Sequence, residues 1–183
     1  MEKVILREWR IGDTEALMLA ANNPKIAANM RNSFPSPYTL KNAEWYVNDC
    51  MNNNGKNQIV YAITLDGEVC GNIGVFLQTD VYEKSAELSY WVSEDFWGRG
   101  ITTQAVKAIC KEAFAAFDII RIYAEPFSYN DASKSVLEKA GFTYEGTMRN
   151  GIYKNGKVFS YCIYSMLREE MLIETKGFTG NDC

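Results

Sequence analysis

The stretch from Ala86 to Ala105 constrains the fold more than any other part of the chain. An alternating segment, Ala86 to Val92, runs into a turn bracketed by Gly98 and Gly100, and the turn opens a helix. Alternation at period two puts Glu87, Ser89 and Trp91 on one face of a strand and Leu88, Tyr90 and Val92 on the other. A glycine turn feeding a helix leaves several backbone N–H groups without partners, at the positive end of the helix dipole. Such a nest binds a phosphate with little help from side chains. The ligand this pattern suggests is the pyrophosphate of a nucleotide cofactor.

Composition narrows the chemistry. The 183 residues, 47% of them apolar, suit one domain over residues 1–176 with a polar tail at 177–183. No run is long enough to span a bilayer, and the first residues lack a signal-peptide stretch, so a cytoplasmic location without membrane attachment is expected. There is no histidine, which excludes Ser-His-Asp and Cys-His machinery. The five cysteines are scattered with no Cys-x-x-Cys pair, so neither disulfide staples nor a metal site is expected. A net charge of −4 argues against nucleic-acid binding.

The elements follow from periodicity and punctuation. Val4 to Arg7 reads as a strand. Asp13 or Thr14 caps a helix through Leu17 and Ala20, Asn23-Pro24 starts a short helix, and Thr39 caps one bearing Leu40, Ala43, Val47 and Cys50. Gln58 to Leu65 and Val69 to Phe76 form a hairpin on Asp66-Gly67, and Ser85 to Val92 extends it as a meander. A helix is expected from Thr103 to about Phe117, carrying Val106, Ile109, Cys110 and Phe114 on one stripe. Ile119 to Glu125 returns as a strand, Asn130 or Asp131 caps a further helix, and Gly141 ends it. Phe142 to Met148 and Val158 to Leu167 flank the Asn155-Gly156 turn. The fold class is α+β, with a mixed, mostly antiparallel central sheet flanked by helices.

The phosphate-binding turn is not a P-loop, because Gly-x-x-x-x-Gly-Lys-Ser/Thr is absent. It departs from the dinucleotide fingerprint too, since Thr103 stands where the third glycine belongs, after a β-meander rather than an opening strand. The wider segment, Ala86-Glu87-Leu88-Ser89-Tyr90-Trp91 followed by Trp97-Gly98-Arg99-Gly100-Ile101-Thr102-Thr103, resembles the acetyl-CoA signature of the GNAT N-acetyltransferases. Within them it is similar to the branch that acetylates ribosomal-protein N-termini. Leu6-Arg7-Glu8-Trp9, Asn22-Asn23-Pro24, Pro37-Tyr38-Thr39, Gly71-Asn72-Ile73-Gly74, Asn130-Asp131-Ala132-Ser133 and Val136 to Phe142 carry the likeness along nearly the whole chain.

That resemblance implies an acyl-CoA N-acyltransferase fold and direct transfer of acetyl from acetyl-CoA, as co-substrate, to an amine acceptor. The acceptor is a protein N-terminus or a small molecule. The cofactor-binding set it implies is Trp91, Val92, Trp97, Gly98, Arg99, Gly100, Ile101, Thr102, Thr103, Asn130 and Lys139, with Lys134 a further candidate for the ribose phosphate. The tyrosine that many relatives use as general acid falls at Leu137, and a glutamate base used by some falls near Ile152. Ser133 matches a serine that can take the acid's part, and Glu87 is the first candidate for base or amine anchor. The likeness also implies a capacity to form a homodimer. Another acyl-CoA as donor, or a CoA-binding module without turnover, stay open at this level.

Overall fold

The computed structural model describes residues 3–171. Seven strands form one sheet: β1 (Val4–Arg7), β2 (Gln58–Leu65), β3 (Glu68–Leu77), β4 (Ser85–Val92), β5 (Arg121–Ala124), β6 (Thr143–Lys154) and β7 (Lys157–Leu167). Their spatial order is β1-β2-β3-β4-β5-β7-β6, antiparallel throughout except for β4 beside β5. The helices are α1 (Thr14–Ala21), α2 (Pro24–Ala28), α3 (Leu40–Asn53), α4 (Ile101–Ala116) and α5 (Asp131–Ala140). Among the described residues no helix is long and apolar enough to cross a membrane.

The hairpins follow their turn residues. Asp66 and Gly67 have φ of 49° and 90°, and Asn155 and Gly156 have 50° and 76°, the double left-handed turn that matches strand twist. Both faces of the sheet are covered. On one, Ile63, Ile73, Leu88 and Ile122 meet Val106, Ile109 and Ala113 of α4 and Leu137 and Ala140 of α5. On the other, Val60, Ala62 and Trp91 meet Trp9, Leu17, Ile26, Ala43 and Val47 from the N-terminal helices. The alternation read from β4 is therefore realised, with Leu88 and Val92 in the α4–α5 core and Trp91 in the opposite one.

The parallel pair is the exception that shapes the molecule. β4 and β5 are in register only at Ser85, Ala86 and Glu87, opposite Arg121, Ile122 and Tyr123. β4 then continues to Val92 along β3, while the chain after β5 stays with β7. Cys162 donates its N–H to the Pro126 carbonyl at 2.9 Å, and Ser128 donates to the Ser160 carbonyl at 2.9 Å. Pro126 has no N–H to give to a ladder on the β4 side. The two strands part, and among the described residues the β5-facing edge of β4 from Leu88 onward has no strand partner. β4 leans the other way, onto β3, where a Cβ at Gly71 would lie 2.4 Å from the Trp91 carbonyl oxygen.

Some boundaries differ from those expected. α4 begins at Ile101 rather than Thr103, because Gly100 (φ 75°) is already the N-cap. A 3-10 turn at Glu94–Phe96 intervenes between β4 and the glycines, and β6 runs six residues past Met148, through a bulge, to Lys154. The polar tail at 177–183 lies outside the described residues.

Candidate active site

The nest forms as its sequence dictates. Gly98 and Gly100 both take left-handed φ, 74° and 75°, which a side chain would strain. The first helical bond of α4 runs from Gln104 N to the Gly100 carbonyl at 3.2 Å, so the N–H groups of Ile101, Thr102 and Thr103 precede the ladder. The Ile101 side chain is buried beneath them, leaving only its backbone to serve a ligand. The Trp97 indole N–H donates to the Val92 carbonyl at 2.7 Å and ties the turn to the end of β4. Arg99 lies over the Phe96 ring, 5.2 Å from its centroid. These features fit a pyrophosphate bound through backbone donors. The Trp91 side chain packs on Phe34 at 6.1 Å in the core opposite α4, because its parity on β4 is that of Glu87, which leaves its backbone to serve a ligand in the gap.

Across the gap, the first turn of α5 is built around Asn130, whose side-chain oxygen accepts the Ser133 N–H at 3.1 Å as an N-cap. The Ser133 hydroxyl shares a 2.8 Å hydrogen bond with the Tyr90 hydroxyl from β4. Burial raises the Tyr90 phenol well above its ordinary value, against the opposing pull of the Ser133 bond, so it remains a protonated donor. Leu137 is fully buried, as its apolar character requires. Lys139 is exposed in the last turn of α5, roughly 9 Å along the helix axis from Ser133. Lys134 is engaged locally, donating to the Ser128 carbonyl at 2.8 Å and pairing with Asp131 at 2.7 Å.

Glu87, the last residue of β4 paired with β5, projects from the opposite face. Its carboxylate takes both arms of the Arg31 guanidinium, and Arg31 Nη2 also reaches Glu125 Oε2 at 3.0 Å. Burial raises the Glu87 pKa above the usual glutamate value; Arg31 pulls it down, and Glu125 pushes it further up. Arg31 itself comes from the loop between α2 and α3, and that loop is fastened. Tyr129 donates to the Ala28 carbonyl at 2.7 Å, and the buried Lys154 of β6 donates to the Met30 carbonyl at 2.5 Å. Phe34 closes the loop against Trp91.

Sequence reasoning named Glu87, Ser133 and the glycine turn separately; it is the parting of β4 and β5 that sets them around one gap. That reasoning missed Tyr90 as the partner of Ser133, and it missed the pairing of Arg31 with two carboxylates, Glu87 and Glu125. The signal for Tyr90 was present: its parity opposes that of Glu87, which sends it to the α5 side. Glu145 is a structural charge: it binds Arg121 through both oxygens at 2.5 and 2.6 Å and accepts from the Ser165 hydroxyl at 2.7 Å.

Comparison with known proteins places this arrangement. Residues 3–143 match the family described as the acetyltransferase (GNAT) domain. The chain belongs to the GNAT acetyltransferase family. Its enzyme class is accordingly that of an N-acetyltransferase, with acetyl-CoA as the co-substrate. Among its GNAT relatives is the putative ribosomal N-acetyltransferase YdaF of Bacillus subtilis strain 168, 28% identical over 169 residues, spanning 92% of this chain and 84% of the relative. The fold matches RimL, a ribosomal L7/L12 alpha-N-protein acetyltransferase in complex with coenzyme A, with a TM-score of 0.80, 22% identity and coverage of 90% and 93% of the two chains. It also matches spermidine N-acetyltransferase from Vibrio cholerae in complex with CoA and spermine, with a TM-score of 0.77, 19% identity and coverage of 92% and 98%.

The thiols among the described residues speak to the mode of transfer. Cys50, Cys70, Cys110 and Cys162 are all buried, and burial pushes Cys50 up to about 12 and Cys70 up to about 11. Burial keeps Cys50, Cys70 and Cys110 as thiols, unsuited to carry an acetyl group as thiolate nucleophiles.

Proposed function

We propose that this chain catalyses direct acetyl transfer from acetyl-CoA to a primary amine within the β4–β5 gap. The donor lies on the α4–α5 side and the acceptor enters past Glu87. One observation carries this reading: the same gap has a phosphate nest and a Tyr90–Ser133 hydroxyl pair on one face of the sheet and a carboxylate on the other. The ribosomal-protein N-terminus and the polyamine named for its relatives mark the range of acceptors, both of them amines.

Acetyl-CoA supplies an activated carbonyl and a thiolate leaving group. The attacking amine forms the C–N bond as the C–S bond breaks. Glu87, or water ordered by it, takes the proton that the nitrogen sheds, and Ser133, backed by Tyr90, donates a hydrogen bond or proton toward the departing sulfur. An α-amine with a pKa near ~8 is already about a tenth neutral at pH 7, so a carboxylate acting through water is base enough.

The test is thiol release from acetyl-CoA with three amines: spermidine, a peptide beginning with serine, and ethanolamine. Amine-dependent release with at least one, together with tight CoA binding, supports the reading. CoA binding with no amine-dependent release from any of them rejects it.

A further inference from the structure

Glu87 and Glu125 stand on the two strands that part at the gap, Glu87 at the end of the β4–β5 pairing and Glu125 directly after β5. Their parity puts both on the face opposite α4, and both turn to one guanidinium. The carboxylates are sheltered, 17% and 29% exposed, while the Arg31 side chain is 61% exposed. One positive charge against two negative ones leaves the cluster at −1. Two sheltered carboxylates this close require a cation between them, since like charges there cost several-fold more than in water. The backbone around Arg31 is fastened at Ala28 and Met30, while its side chain, held only by the two carboxylates, lies on the solvent side of the cluster.

We infer that Arg31 is a resident counter-ion holding the place of the acceptor's own positive charge, so that the acceptors accepted here are amines carrying a second cationic group. This rests on the acceptor-side assignment of Glu87 made above. When the acceptor binds, its retained ammonium group pairs with Glu125, its reacting nitrogen lies at Glu87, and Arg31 moves to solvent. A neutral or anionic acceptor offers nothing in exchange for the guanidinium and is discriminated against.

The experiment uses the CoA-loaded protein, with calorimetric binding and acetyl-transfer assays run in parallel. The arms are putrescine and a serine-lysine-alanine peptide, which carry the second charge, and propylamine and a serine-alanine-alanine peptide, which lack it. The two doubly charged arms separate a small polyamine from a basic peptide as the source. Arg31→Met is expected to tighten the doubly charged arms about fivefold to tenfold, the scale of one partly sheltered ion pair, and to change the singly charged arms by no more than about twofold. Arg31→Lys, which retains the charge but not the forked geometry, should fall between. Glu125→Gln should weaken the doubly charged arms alone. Weaker or unchanged putrescine binding in Arg31→Met, or equal effects on both classes of arm, overturns the exchange. If putrescine binding tightens as stated but no amine is acetylated, the exchange stands and the transfer reading fails.

Discussion

The Tyr90 hydroxyl, carried on β4, lies 2.8 Å from the Ser133 hydroxyl in the first turn of α5 and bridges the two walls of the gap. A serine held this way has one partner fixed and its remaining valences directed by it. Removing either hydroxyl should lower kcat about tenfold to a hundredfold at saturating acetyl-CoA, with KM for acetyl-CoA changed less. The double variant Tyr90→Phe/Ser133→Ala should cost no more than the worse single change, because the two act as one unit. Steady-state kinetics of the four proteins checks this; a purely additive double variant would show that the pair does not act together.

With Glu87 as the proposed base, its carboxylate should set the acidic limb of the pH–rate profile. Its pKa is raised, chiefly by burial and then by Glu125, against the pull of Arg31. Lowering the pH therefore protonates it earlier than an ordinary glutamate, and kcat/KM should fall at a pH above 4.5, the usual value. Glu87→Gln should lose that limb together with most of the activity. Arg31→Met should shift the limb to still higher pH, because the attraction to the guanidinium is gone while Glu125 remains. Tyr123, flanked by Glu87, Glu125, Arg31 and Arg121, stays protonated across this range.

The left-handed cap of α4 is a third point of attack. Gly100→Ala keeps space for the methyl group but forces φ 75° on an L-residue. The strain is about 1 kcal/mol, so CoA binding should weaken roughly fivefold while kcat at saturation changes little. Isothermal titration with CoA measures it, and unchanged affinity would remove the nest from the binding energetics.

Acid stability should depend on Asp13. Burial pulls its pKa up, but the Arg7 bonds, the Arg10 N–H and the two guanidinium charges outweigh that and hold it below 3.8, its ordinary value. A depressed carboxylate contributes stability that is complete above the unfolded value and lost as pH falls through the lower, folded one. Asp13→Asn should thus lower the unfolding free energy by about 1–2 kcal/mol at neutral pH, and the deficit should vanish in strong acid. Urea titrations at several pH values check the sign.

Where the fold was legible, local chemistry spoke in one voice. Asp66-Gly67 and Asn155-Gly156 announced their hairpins, and the alternation of Glu87 to Val92 assigned side chains to faces correctly. Boundaries slipped where the chain changes character within a few residues. Gly100 stops the turn and starts α4, so Ile101 and Thr102 were assigned to the loop, and the bulge in β6 hid its length. The site was half legible for a related reason. Glu87 and Ser133 sit in patterned elements, whereas Arg31 comes from an aperiodic loop 56 residues away from its partner. Local spacing holds no trace of a contact made by tertiary packing. The parting of β4 and β5 had a signal, Pro126, that marks where a ladder must stop, but its consequence depends on which strand lies alongside.

That parting gives the sheet a property a closed ladder lacks. It is a partition with a slot in it, and under the transfer proposed above the donor and the acceptor would approach the slot from opposite sides. Neither ligand has to leave before the other arrives, and neither covers the other's way out. Chemistry in such a slot runs through a complex holding both ligands at once, so initial-rate lines at varied acetyl-CoA and amine should intersect rather than run parallel.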